Sequence, residues 1–348
     1  MTALVVDTPP PRRIPDRLST PFRRLLGSWE VLLLAVTIAI FIANSLASPH
    51  FLDPWNLSDA TYNFTEKAMI AFAMTLLIIS GEIDLSVAAI IALASTAMGA
   101  AAQAGFGTPA LVSVGLGVGL LCGAFNGLLV ARVGLPSIVV TIGTMSLFRG
   151  IAQIVLGDQA YGGYPASFAW FGQGYMSDFP WWPALPVFEV ITFEMVAFVC
   201  VALVFGILLH QTAFGRRVYA IGNNVFAAQF SGIPVERTKF VLFLLTGLMS
   251  GFAAVCLTSR LGSTRHTIAA GWELEVVTMA VLGGVSILGG SGTIPGVVLA
   301  AIVMGLVTFG LGLLNVPGIV MSIFIGLLLI LVIALPIVFH RIRSRAAA

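Results

Sequence analysis

Ten stretches of mostly apolar residues recur along this chain, at roughly 29–48, 66–81, 85–104, 109–131, 137–157, 187–209, 239–259, 274–289, 294–314 and 317–338. A helix of about 20 such residues spans a bilayer's hydrocarbon core and satisfies its own backbone hydrogen bonds there. Composition agrees, since only 9% of the residues are charged and 58% are hydrophobic, whereas a soluble domain carries about 25% charge to face water. The expected fold is all-α, a polytopic membrane protein with about ten transmembrane helices. The second and eighth runs are short and end at Gly81-Glu82-Ile83-Asp84 and at Gly283-Gly284 through Gly292. Short broken helices are expected at those Gly-rich segments, within 66–104 and again within 274–314, and if the second to fifth and the seventh to tenth runs form two related units the chain is internally repeated.

Lysine and arginine in short loops set orientation. With the N- and C-termini cytoplasmic, the inner side holds five tail arginines, Arg132, the group Arg216, Arg217, Arg237 and Lys239, and Arg341, Arg343 and Arg345. The outer side holds Arg260, Arg265 and Lys67, and Arg149 stays within a span. Residues 1–27, rich in Pro and Arg, read as a disordered basic cytoplasmic tail, 28–339 as the transmembrane permease domain and 340–348 as a second cytoplasmic tail. A signal peptide is the other reading of the amino-terminal segment, but the run from Val31 to Leu46 has no early break and nine similar runs follow, so an uncleaved first span is expected. The outer loop 158–186 carries Tyr161, Tyr164, Trp170, Phe171, Tyr175, Trp181 and Trp182, as suits aromatic rings resting at headgroup level.

Gly115, Gly119, Gly123 and Gly127 fall on one helical face, as do Gly247 and Gly251. Such faces let neighbouring backbones approach closely. Cys122, Cys200 and Cys256 lie in apolar runs without metal-ligand spacing and read as small buried hydrophobes.

Four polar groups within spans are candidates for a translocation path: Asn126, Thr141, Thr144 and Arg149. Each has a structural alternative. Amides and hydroxyls also hold helices together, and Arg149 can snorkel or pair, since a charge at mid-membrane costs about 2.5–3.5 kcal/mol. Glu82 and Asp84 read as a helix stop and the cap of the next span, with a path role as the alternative.

The segment 210–239 is the longest cytoplasmic loop. Asn223 or Asn224 can cap a short helix through about Ser231, with Gly232 and Pro234 stopping it. Tyr219, Phe226 and Phe230 would be its exposed apolar anchors. That helix suits either the headgroup layer or a groove on a soluble partner.

This loop resembles the coupling segment of sugar-importing ATP-binding-cassette permeases of the ribose/rhamnose/autoinducer-2 type. Other segments match that family in order: Ile79-Ser80-Gly81-Glu82-Ile83-Asp84-Leu85-Ser86, Phe125-Asn126-Gly127, Pro136 through Thr144, and Val281-Leu282-Gly283-Gly284 through Thr293. Glu82 and Ala88 stand where many relatives carry Gly. Gly-Glu-Ile-Asp-Leu-Ser, and Ser-Arg-Leu-Gly-Ser-Thr-Arg after the seventh span, look most like a rhamnose permease.

The resemblance implies an importer in a bacterial inner membrane, with a cytoplasmic ATPase, a second permease subunit (the same or a homologous chain) and a periplasmic sugar-binding protein as partners. It places contact with the ATPase at Gly215, Arg216, Arg217, Asn223, Ala227, Ala228 and Gly232. ATP is then used by the partner subunits, and this chain is expected to bind no cofactor and no metal. A P-loop needs Lys after Gly, but the only lysines, Lys67 and Lys239, follow Glu66 and Thr238. A self-contained secondary transporter is the competing class, with Asp84, Glu82, Glu189 and Glu194 as its coupling acids. A membrane enzyme lacks any paired nucleophile and base, and a net charge of +2 gives no case for nucleic acid.

Overall fold

The structure is a computed structural model that describes residues 29–178 and 189–318, with individual positions between 320 and 330. The tail 1–27, the carboxyl tail 340–348 and most of the tenth apolar run lie outside the described residues. Thirteen helices follow in order among the described residues. They are α1 (Trp29–Ala47), α2 (Pro54–Tyr62), α3 (Thr65–Ile79), α4 (Val87–Gln103), α5 (Thr108–Gly127, prolonged by a π turn, Leu128–Arg132), α6 (Ser137–Leu156) and the short α7 (Trp170–Gln173). After these come α8 (Phe193–His210), α9 (Ala213–Asn223), α10 (Val225–Phe230), α11 (Val235–Leu261), α12 (Trp272–Leu282) and α13 (Ile294–Leu313). Extended pairing among the described residues is limited to Tyr161 with Thr264 and Tyr175 with Thr192.

Six of these helices, α1, α5 with its π turn, α6, α8, α11 and α13, are long and apolar enough to cross a membrane. Helices α2 and α3, bent by 44° at their junction, would make a seventh span. The protein is therefore a multi-pass membrane protein. The runs expected to be the third and eighth spans fold instead as shorter helices, 17 residues in α4 and 11 in α12. Their Gly-rich flanks take chain that would otherwise have prolonged the helix.

Local chemistry fixes the starts. Thr192 Oγ1 accepts from Met195 N at 3.2 Å, Thr212 Oγ1 from Gly215 N at 3.3 Å and Thr293 Oγ1 from Gly296 N at 3.3 Å, opening α8, α9 and α13. Pro109 and Pro295 sit in first turns, where no amide donor is needed.

Helix α3 is the centre of the bundle, with every residue from Thr65 to Ile79 buried except Lys67. From Ala68 onward only Thr75 interrupts its apolar surface, and it is surrounded by protein, against α8, α11, α12 and α13. The two glycine faces seen in the sequence meet each other. A side chain on Gly119 would strike Gly247 O at 2.4 Å, and one on Gly247 would strike Gly119 O at 2.3 Å. Gly123 likewise faces Phe243 O and Gly251 faces Gly115 O, so α5 and α11 touch backbone to backbone.

The two chain breaks share one geometry. After α3, Gly81 (φ +88°) donates to Ile78 O and Glu82 N to Leu77 O at 2.9 and 3.1 Å. After α12, Gly284 (φ +88°) donates to Val281 O and Val285 N to Ala280 O at 2.9 and 3.1 Å. Both are glycine-terminated helix ends of a common type, which also closes α4 at Gly105 and α10 at Gly232.

Candidate functional site

The 210–239 segment folds as two short helices. As the sequence predicts, Asn224 caps α10, its Oδ1 accepting from Ala227 N at 2.9 Å, and Gly232 (φ +78°) ends it. Arg216 and Arg217 are exposed on α9, opposite the buried Val218 and Ile221. Gly215 is buried, and a Cβ there would lie 1.9 Å from Leu209 O. It makes the tight corner between α8 and α9 and offers no surface to a partner. On α10, Ala228 is buried and Ala227 exposed, while Phe226 and Phe230 are 75% and 92% exposed.

Tyr219, expected as a third exposed anchor, points the other way. Its hydroxyl donates to Gly292 O at 2.6 Å, within the second break, and burial pushes its phenol above the ordinary value. Asn223 is exposed, and its Nδ2 donates to Tyr219 O at 2.8 Å and to Gly290 O at 3.3 Å. Gly222 leaves no room at all, since a Cβ would lie 1.7 Å from Ile79 O. The end of α9 thus rests on the place where both breaks meet, and Gly290 N donates to Ile79 O at 2.9 Å. Three further contacts tie neighbouring helices to the breaks. Lys239 at the start of α11 pairs with Glu82, Trp29 Nε1 donates to Leu282 O at 2.8 Å, and Thr293 Oγ1 donates to Glu30 Oε1 at 3.0 Å.

The first break holds a polar cluster. Asp84 Oδ1 accepts from Ser86 N (2.8 Å) and Ser86 Oγ (2.6 Å), so it braces the turn just before α4. Asn126 Nδ2 donates to Ser86 Oγ at 2.8 Å and to Asp84 Oδ2 at 3.4 Å. Ile83 N donates to Ser137 Oγ at 3.3 Å, and Thr141 Oγ1 reaches Ile83 O at 3.5 Å. Of the four candidate path residues, Asn126, Thr141 and Thr144 are buried in this packing, and Thr144 Oγ1 bonds Thr141 O at 3.3 Å. Arg149 is half-buried at the other end of α6, where Nη1 donates to His266 O at 2.9 Å. The structure therefore joins Asn126 and Thr141 at one break and sets Arg149 apart.

A second charged cluster was not read from the sequence. Arg260, closing α11, makes a two-pronged pair with Glu66 of α3, Nε to Oε1 at 3.0 Å and Nη2 to Oε2 at 2.7 Å. Glu194 of α8 accepts from Thr65 Oγ1 at 3.0 Å through Oε2, while its buried Oε1 has no hydrogen-bond partner among the described residues. Lys67 pairs with Glu275 at 2.6 Å and sits 5.0 Å from the Trp272 ring centre. Only the charge of these residues near span ends hinted at this. Among the described residues no group of His, Cys, Asp and Glu is arranged to hold a metal ion.

Residues 56–333 match the family described as the permease component of the branched-chain amino acid transport system. The chain belongs to this permease family. The permease is also 35% identical over 319 residues to the autoinducer 2 import system permease protein LsrD of Salmonella typhimurium, covering 90% of this chain and 92% of the relative. It is 35% identical over 316 residues to LsrD of Klebsiella pneumoniae, covering 89% and 92%. For LsrD of Photorhabdus temperata the figures are 32% over 324 residues, 91% and 94%. No solved structure matches the permease.

Proposed function

We propose that this chain is the membrane subunit of an ATP-binding-cassette importer in a bacterial inner membrane, with both termini cytoplasmic. The observation that carries the reading is the seating of α9 on the two breaks through Tyr219, Gly222 and Asn223, while α10 turns Phe226 and Phe230 outward. A soluble partner that grips α10 has a mechanical grip on the ends of α3 and α12 as well. Cytoplasmic ATPase subunits are that partner, with Arg216, Arg217, Phe226, Ala227 and Phe230 on the contact surface and Gly215, Asn223, Ala228 and Gly232 shaping it. A second permease subunit, identical or homologous, and an extracytoplasmic binding protein complete the assembly.

The solute is a small hydroxylated molecule. Two lines of support give it two names: the Gly-Glu-Ile-Asp-Leu-Ser motif resembles rhamnose permeases, and the relatives are named for autoinducer-2 import. The test is uptake into proteoliposomes carrying this chain, its ATPase, its partner permease and the loaded binding protein. ATP-dependent accumulation of rhamnose or autoinducer-2 is expected. The secondary-transporter reading has a structural foothold in the burial of two of its candidate acids, Asp84 and Glu194; solute movement by this chain alone under a proton or sodium gradient would replace the ATPase-driven reading with that one.

A further inference from the structure

A polar pocket of about 360 Å³ opens at the end of α6 remote from the coupling segment, lined by Asp158, Gln159 and Ala160 on one wall and Arg265, His266 and Thr267 on the other. The walls are pinned together. Tyr161 and Thr264 exchange backbone hydrogen bonds at 3.1 and 2.8 Å, and Arg149 holds the His266 carbonyl. Close by, Thr264 Oγ1 lies 2.6 Å from both Ser95 Oγ and Tyr164 OH, and Thr258 Oγ1 donates to Ser95 Oγ at 2.7 Å. The pocket is thus mounted on fixed elements.

A stripe of small and polar residues runs along α6 through Gln153, Gly150, Ser146 and Gly143. The spacing of three and four places them on one helical face. Gln153, Ser146 and Gly143 are exposed, and a Cβ on Gly150 or Gly143 would meet nothing within 4 Å. The polar groups that α6 leaves uncovered lie here, among exposed Val139 and Ile154, and not on the buried face bearing Thr141 and Thr144.

We infer that this pocket is the outermost receiving site for the permease's solute, an uncharged polyol or sugar of monosaccharide size. The inference rests on the importer reading and on the outward placement of the 158–186 loop. Within the lining Asp158 and Arg265 offset each other, and the Arg149 guanidinium behind the wall is engaged by the His266 carbonyl, so the pocket favours a neutral ligand. Amide, imidazole and hydroxyl groups beside them supply both donors and acceptors, the complement of a hydroxylated molecule. Its volume lies at the small end of the ligand-pocket range of about 300–1,000 Å³. Arg149 is a positioning residue, acting on the pocket through the His266 backbone.

The test uses the purified full-length chain in lipid nanodiscs, with rhamnose and autoinducer-2 as probes and saturation-transfer NMR as the readout. The wild-type chain is expected to give a signal with at least one probe. Asp158→Ala combined with His266→Ala is expected to weaken binding about tenfold at unchanged unfolding temperature, from the loss of two hydrogen-bonding groups. Arg149→Gln should weaken it as well, and Arg149→Lys, which still donates to the carbonyl, should restore it. An undiminished signal in the double variant, or none from either probe in the wild type, overturns the site. ATP-driven uptake separates the two readings. If the wild-type complex shows none, the importer reading fails while the NMR result stands, whereas normal uptake by the double variant removes only the pocket.

Discussion

The amide of Gly290 donates to the carbonyl of Ile79 across 2.9 Å, so the two interrupted helical units of this permease are joined at their broken ends. The contact lies directly beneath α9, whose Gly222 approaches the same carbonyl. Whatever moves α9 moves both breaks together.

Gly222 is the position where that junction tolerates least. A methyl group 1.7 Å from Ile79 O forces backbone apart, and overpacking of this kind costs about 1–3 kcal/mol. Gly222→Ala is expected to lower the unfolding temperature in detergent and to impair solute-stimulated ATPase activity of the assembled complex. Gly143→Ala, with open space around it, is expected to leave the unfolding temperature unchanged. Equal unfolding temperatures for the two variants would show that the junction is not tight.

Phe226 and Phe230 lie bare on α10. Removing an aromatic anchor from an interface typically costs about 2 kcal/mol or more. Phe226→Ser and Phe230→Ser are expected to weaken co-purification of the ATPase by at least about tenfold with no loss of chain stability. Full retention of the ATPase by the double variant would exclude α10 as the seat.

Gly119 and Gly247 set the distance between α5 and α11. Gly119→Leu or Gly247→Leu is expected to disrupt the pair, because each side chain would enter backbone about 2.3–2.4 Å away. Gly117→Leu, on the same helix but facing open space, is the control. Protease protection and unfolding temperature in micelles distinguish them.

Arg260→Ala strands Glu66, which is 1% exposed. Leaving one half of a buried pair unpaired costs about 3–5 kcal/mol. Arg260→Met combined with Glu66→Gln is expected to recover most of that loss, measured by thermal unfolding. A single variant as stable as the double would show that Glu66 is neutralised by another group.

Where the signal was local, the fold could be read from the sequence. Four-residue glycine spacing announced the α5 and α11 faces, although not that each would be the other's partner. Asn224, Gly232 and Pro234 gave the limits of α10 because caps and stops act within one turn. The inward turn of Tyr219 was invisible, since its acceptor at Gly292 is 73 residues away. The union of Asp84 with Asn126, and of Glu66 with Arg260 across 194 residues, likewise depends on which helices become neighbours. Hydrophobic run length did not give helix length, because α4 and α12 surrender their ends to the breaks. Periodicity did not distinguish the buried face of α6, with Thr141 and Thr144, from the open one with Gly143 and Ser146.

The glycine seam gives α5 and α11 the stiffness of one beam. Helix α11 has 27 residues, about 40 Å of rigid rod at 1.5 Å per residue, so a tilt of about 5° at one end displaces the other by about 3.5 Å. Small rocking at the Lys239 end is therefore felt as ångström-scale travel at the Arg260 end, with no unwinding anywhere between.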